Sequence, residues 1–284
     1  MTVPAGELPV IDAHTHVVSR DLDRYPIEPG VPDEQGWHRD HPVDTEELLA
    51  LGDACGVVGT ALVQAISCHG FDNRYVLDSA RSHPGRTIAV GAVRPDAPDA
   101  VGRVRRDVLE HGMHGLRVFS VGGTTAPIDH PSVREVVAVA CDLGIPVVLL
   151  GLANQLPSVA PLVAAFPAAR FVLDHCGFAD LGGGEAFPFA GPLFDLAEHE
   201  NLYCKVSSIT LCSTQEPEAL WPVLVGRFGA ERLLWGTDFP HTHHLDYPGL
   251  VALGRRTTSA LSPADRATVL AGTAGTLWPQ LSAG

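Results

Sequence analysis

Val10-Ile11-Asp12-Ala13-His14-Thr15-His16-Val17 is a short, mostly apolar run that ends in two histidines. Such a run reads as a parallel strand buried on both faces. Residues two apart on a strand point to one side, so the His14 and His16 imidazoles are expected to share one space. There they would serve as a metal clamp or as paired donors to a carbonyl. An isolated His-x-His is as readily two hydrogen-bonded loop residues, so the reading depends on the rest of the chain.

Similar runs recur at 10–17, 59–66, 87–93, 115–119, 146–150, 170–175, 202–206 and 232–237, rich in Val, Leu and Ile with little alternation. Helix signals fill the intervals. Asp44-Thr45-Glu46-Glu47 opens as a capping box, with Gly56 as the stop. Pro131 precedes an apolar face of Val133, Val136, Val137 and Ala140 that ends at Gly144. Ser262-Pro263-Ala264-Asp265 starts the last helix. Eight alternating units predict an α/β chain folded as a single (β/α)8 TIM barrel, one domain over 1–284.

The 284 residues, 45% hydrophobic, are enough for a large core. A net charge of -14 with no basic run excludes a nucleic-acid surface. An anionic substrate would be held by a few local arginines. The uncharged stretch 143–169 is broken by Pro146, Pro157, Pro161 and Pro167 and does not read as a membrane span. No signal peptide is read at the amino terminus. Six cysteines without Cys-x-x-Cys spacing are expected to be reduced, in a cytoplasmic protein. The expected partner is a small-molecule substrate, with neither nucleic acid nor membrane; a homo-oligomer is compatible with the sequence.

Two loops exceed what a barrel needs. The first, 18–43, carries Arg20, Tyr25, Trp37, His38, Arg39 and His41, and is expected to lie over the active face as a lid. Aromatic and arginine side chains also suit an oligomer contact. The second, 239–248, carries His241, His243 and His244.

In such barrels the chemistry belongs to the carboxyl ends of the strands. Those ends here offer His14 and His16, Gln64 with Asn73 beyond it, Arg94, Arg117, Asp174-His175, Lys205 with Ser207, and Asp238 followed by His241. Asp238 is expected to act as a base and His175 as a ligand or donor aimed at a carbonyl oxygen. Arg117 and Arg94 are expected to clamp a substrate carboxylate, with Gln64, Asn73, Trp37, Tyr25 and His241 as further contacts. Lys205 is read as paired inside the barrel and Asp12 as support for the first strand.

Five stretches carry a family resemblance: Ile11-Asp12-Ala13-His14-Thr15-His16, Asp72-Asn73-Arg74-Tyr75, His114-Gly115-Leu116-Arg117, Leu173-Asp174-His175-Cys176-Gly177 and Trp235-Gly236-Thr237-Asp238-Phe239-Pro240-His241. In their order the chain resembles the amidohydrolase superfamily, nearest the branch of lactone hydrolases that includes pyrone-dicarboxylate lactonase and sugar lactonases. The resemblance implies a (β/α)8 barrel, hydrolysis at an ester or amide carbonyl, Asp238 as general base, and His14, His16 and His175 around the reacting carbonyl. Where many members carry a lysine or glutamate ending strand four and a histidine ending strand five, this chain has Arg117 and Gly151. Neither is a metal ligand, so a bridged two-metal site is disfavoured. Where pyrone-dicarboxylate lactonase is expected to place an arginine after the strand-six histidine, this chain has Cys176-Gly177-Phe178.

The function expected is therefore opening of a small lactone, carboxylated or polyhydroxylated, by water that Asp238 activates. The carbonyl would be polarised by histidines, or by one zinc or manganese ion on His14, His16, His175 and Asp238. A metal-dependent decarboxylase or hydratase of an aromatic or unsaturated acid is the alternative, and a barrel that only binds a metabolite is a third reading.

Overall fold

The eight apolar runs form eight parallel strands: β1 (Val10–Thr15), β2 (Val57–Val63), β3 (Thr87–Ala92), β4 (Gly115–Phe119), β5 (Val147–Leu150), β6 (Phe171–Leu173), β7 (Leu202–Ser207) and β8 (Leu233–Gly236). The computed structural model describes residues 8–29, 36–121 and 125–281. Each strand pairs with the next in order. β8 returns to β1 through hydrogen bonds from Asp238 N to His14 O and from His16 N to Phe239 O, both 2.8 Å. The sheet thus closes on itself as a (β/α)8 barrel.

Helix starts follow the local signals. Asp44 caps the helix Thr45–Ala54 by accepting from Glu47 N. The helix Pro131–Asp142 buries Val133, Val136, Val137 and Ala140, and Ser262 caps Pro263–Ala267 ahead of Pro263. The barrel is filled at its amino-terminal end. Ile11, Ala61, Ile88, Val90 and Leu234 pack against Leu277, Trp278 and Leu281 from the chain's last turns. The opposite end is free for polar groups.

Only the run 115–119 keeps both its ends; the others move by one to three residues, and two of these shifts shape the site. β2 stops at Val63, and Ile66 begins a short helix, Ile66–His69. β6 stops at Leu173, because His175, Cys176, Gly177 and Phe178 turn left-handed, with φ of 53°, 52°, 61° and 49°. Three of these are not glycine, and left-handed backbone costs such residues about 1–3 kcal/mol each. Contacts with β7 hold the turn: His175 Nδ1 lies 2.7 Å from Ser207 Oγ, and Cys176 Sγ meets the Lys205 carbonyl. Gly177 is required as glycine, since a Cβ there would lie 2.3 Å from Leu156 Cδ2.

Candidate active site

β1 delivers the two histidines through a register shift between Asp12 and Thr15. Such a bulge re-aims side chains. His14 Nε2 and His16 Nε2 come within 3.3 Å of each other. His16 Nδ1 lies 2.8 Å from the Val63 carbonyl, which can only accept, so Nδ1 carries the proton. In the neutral ring Nε2 then presents a lone pair to the shared space. Burial lowers the pKa of His14 well below the ordinary imidazole value, lowers that of His16, and brings His175 down to about 4. All three rings are therefore neutral at neutral pH.

Asp238 closes the space from β8. Its left-handed backbone, φ 62°, brings Oδ1 to 3.5 Å from His14 Nε2 and 3.4 Å from His16 Nε2. Oδ2 accepts from Thr242 Oγ1 at 2.8 Å and from His241 Nδ1 at 3.0 Å. Burial alone would raise the carboxyl, but the neighbouring His175 and the hydrogen-bonded His241 together hold it well below the usual carboxylate range. Oδ1 is thus an ionised base facing the His16 lone pair and Nε2 of His14. Only a proton or a cation between them makes that arrangement favourable.

Nε2 of His14, Nε2 of His16 and Oδ1 of Asp238, all buried, form a metal-ligand group. Their separations of 3.3, 3.4 and 3.5 Å match the edges of about 3.3–3.4 Å that tetrahedral bonds of about 2.0–2.1 Å impose. The residues fit one ion. His175 falls into a second such group, with His14 and Asp174. Gly151 offers no strand-five ligand, and an added Cβ there would lie 2.7 Å from Ile128 Cδ1, which would have to shift.

Beneath the histidines lies a charge cluster in which Lys205 is paired inside the barrel, as the sequence led one to expect, with Asp174 and Arg117 as partners it had not named. Asp174 Oδ1 meets Lys205 Nζ at 2.8 Å and His14 Nδ1 at 3.2 Å, while Oδ2 meets Arg117 Nε at 3.1 Å. Burial would raise Asp174, but Lys205, His14 and Arg117 together depress it well below the ordinary carboxylate range. Lysine inside the apolar strand Leu202-Tyr203-Cys204-Lys205-Val206 was the available signal, because a fully buried ammonium requires a carboxylate partner. Ser207 against His175 and Thr242 against Asp238 carried no such mark.

Trp37 reaches the site: its ring centroid lies 5.6 Å from that of His16 and 5.9 Å from that of His241, with Nε1 donating to Ser67 Oγ. Other expected substrate contacts are turned to the scaffold. Tyr25 donates to Asp78 Oδ2 and packs on Tyr75. Gln64 Nε2 donates to the Gly70 and Asp72 carbonyls, pinning the loop after β2. Asn73 bridges Ala92 and Asp107, and half-exposed Arg94 pairs with Asp96. Asp12 accepts from Thr237 N and Oγ1 and from Tyr247 Oη, tying β1 to β8 as expected of a support residue.

A barrel with a carboxylate and three neutral imidazoles at its mouth is equipped for chemistry at a carbonyl. The amidohydrolase family model matches residues 11–280, and the chain belongs to that family. It is 30% identical to a 2-pyrone-4,6-dicarboxylate hydrolase of Comamonas testosteroni over 86% of this chain and 80% of that protein. It is 29% identical to an L-fucono-1,5-lactonase of Burkholderia ambifaria over 93% of each. A Burkholderia multivorans amidohydrolase solved with bound zinc shares the fold, with a TM-score of 0.77 at 23% identity over 96% of this chain and 99% of that one. No helix among the described residues is long and apolar enough to cross a membrane.

Proposed function

We propose that this hydrolase opens a small lactone, a cyclic ester, at the mouth of the barrel. The observation that carries the reading is Asp238 Oδ1, ionised and facing His14 and His16, with His175 on the adjoining side. The two curated relatives named above, whose names denote lactone-opening hydrolases, support the substrate class.

Water held at Asp238 Oδ1 gives up a proton to it as its oxygen attacks the lactone carbonyl. The developing oxyanion needs donors. His175 Nδ1 lies 2.7 Å from the Ser207 hydroxyl; in the tautomer in which that hydroxyl donates, the neutral ring carries its proton on Nε2 and can offer it. As the ring C–O bond breaks, the proton on Asp238 passes to the leaving alkoxide, giving the open hydroxy acid and restoring the carboxylate. Trp37 roofs His16 and His241 and keeps bulk water from the cluster.

His14, His16 and Asp238 would hold one divalent ion, zinc or manganese, which would supply Lewis acidity toward the carbonyl. Elemental analysis is expected to find about one equivalent, reduced in His16→Ala. Chelation is expected to abolish turnover and added metal to restore it. Full activity in metal-free protein would remove the ion from the scheme.

A panel of small lactones, assayed for acid release on purified protein, tests the reaction itself. Carbon dioxide release from aromatic acids, with every lactone inert, would replace it by a decarboxylase. Trp37→Ala is expected to raise KM or lower kcat several-fold while the oligomeric state, read by light scattering, stays unchanged. Loss of an oligomer with kinetics intact would make Trp37 an interface residue instead.

A further inference from the structure

Exposed large apolar side chains are unevenly spread over this molecule. Six of the seven among the described residues, Leu22, Ile27, Leu152, Phe178, Phe189 and Leu245, belong to segments that follow β1, β5, β6 or β8. They share the barrel end that carries Asp238 and the histidines. Single exposed apolar residues are ordinary, but a group confined to one rim marks a binding surface. Phe178 is nearest the chemistry. Its ring centroid lies 5.1 Å from that of His175, and it is 38% exposed. The left-handed turn after β6 holds it there, a backbone conformation that phenylalanine adopts only under constraint.

The cations near the cluster are already engaged. Arg117 and Lys205 both meet Asp174, at 3.1 and 2.8 Å. In the first long loop Arg20 turns to Asp44 and Glu47, and Arg24 to Asp78; Arg94, after β3, turns to Asp96. A substrate carboxylate would have to draw Arg117 away from a fully buried partner. An apolar group meets Phe178 at no such cost.

Resting on the lactonase reading, we propose that the site selects an uncharged lactone bearing an alkyl or aryl substituent, seated against Phe178, over a carboxylated lactone of equal size. Phe178 is the residue that sets this preference.

The test compares six-membered lactones bearing a butyl or a carboxyethyl group, together with the matching lactams, whose binding is measured by calorimetry without turnover. Wild-type protein is expected to favour butyl over carboxyethyl by about tenfold or more in kcat/KM, with the lactam Kd values in the same order. Phe178→Ala is expected to reduce that ratio about tenfold, and Phe178→Leu to restore most of it. A disturbance of His175 alone would lower both substrates together and leave the ratio intact. Preference for the carboxyethyl compounds, or an unchanged ratio in Phe178→Ala, would overturn the proposal. If no lactone opens, the lactonase reading fails, while the order of lactam affinities still decides the selectivity. A dimer that Phe189→Asp disperses, with lactam order indifferent to Phe178→Ala, would assign the rim to an interface and likewise overturn it.

Discussion

Asp238→Asn is expected to lower kcat for lactone opening by about 10²–10⁴-fold, the range a positioned general base contributes. The asparagine amide is nearly the same size, so His241 and Thr242 can still be met on one side. What disappears is the proton acceptor at Oδ1, facing His14 and His16 at 3.5 and 3.4 Å. The variant should fold, because the backbone bond from residue 238 N to His14 O does not involve the side chain. Its thermal transition and kcat, measured on the same preparation, check this. A properly folded variant that retains full turnover would sink the mechanism. If metal content falls together with kcat, Asp238 also acts as a ligand; if metal content holds, the loss belongs to proton transfer alone.

The barrel was legible because its strands are buried on both faces, so short Val- and Leu-rich runs such as Val147–Leu150 stand out against amphipathic helices. His14, His16 and Asp238 were legible for a related reason: polar residues at the ends of apolar strands of one barrel must converge. What a strand end does not reveal is the direction of the side chain. Gln64 follows the end of β2 and Asn73 precedes the helix Arg74–Ser82, yet both turn to backbone carbonyls of neighbouring segments, and Arg94 finds an acid two residues away. Nor does apolar patterning carry the hand of the backbone. The left-handed turn at His175 depends on Ser207 and on space at Gly177, contacts between segments far apart in the chain. Lys205, Asp174 and Arg117 were each visible singly; their union required three strands in register.

Lys205→Met is expected to destabilise the fold by about 3 kcal/mol, the scale on which removing one partner strands a buried charge. Asp174 would lose its contact at 2.8 Å and keep Arg117 at 3.1 Å and His14 at 3.2 Å. Arg117 limits the loss, since the carboxylate keeps one cation; His14 compounds it, since its Nδ1 also lies 3.1 Å from Lys205 Nζ. The double variant Lys205→Met with Asp174→Asn should be less damaged than the sum of the two single changes, because it leaves no ionised Asp174 unmatched. Urea unfolding of the four proteins measures this coupling. An additive result would mean that Lys205 and Asp174 act separately. A single Lys205→Met variant within about 0.5 kcal/mol of wild type would mean that the ammonium is not what holds Asp174 ionised beneath His14.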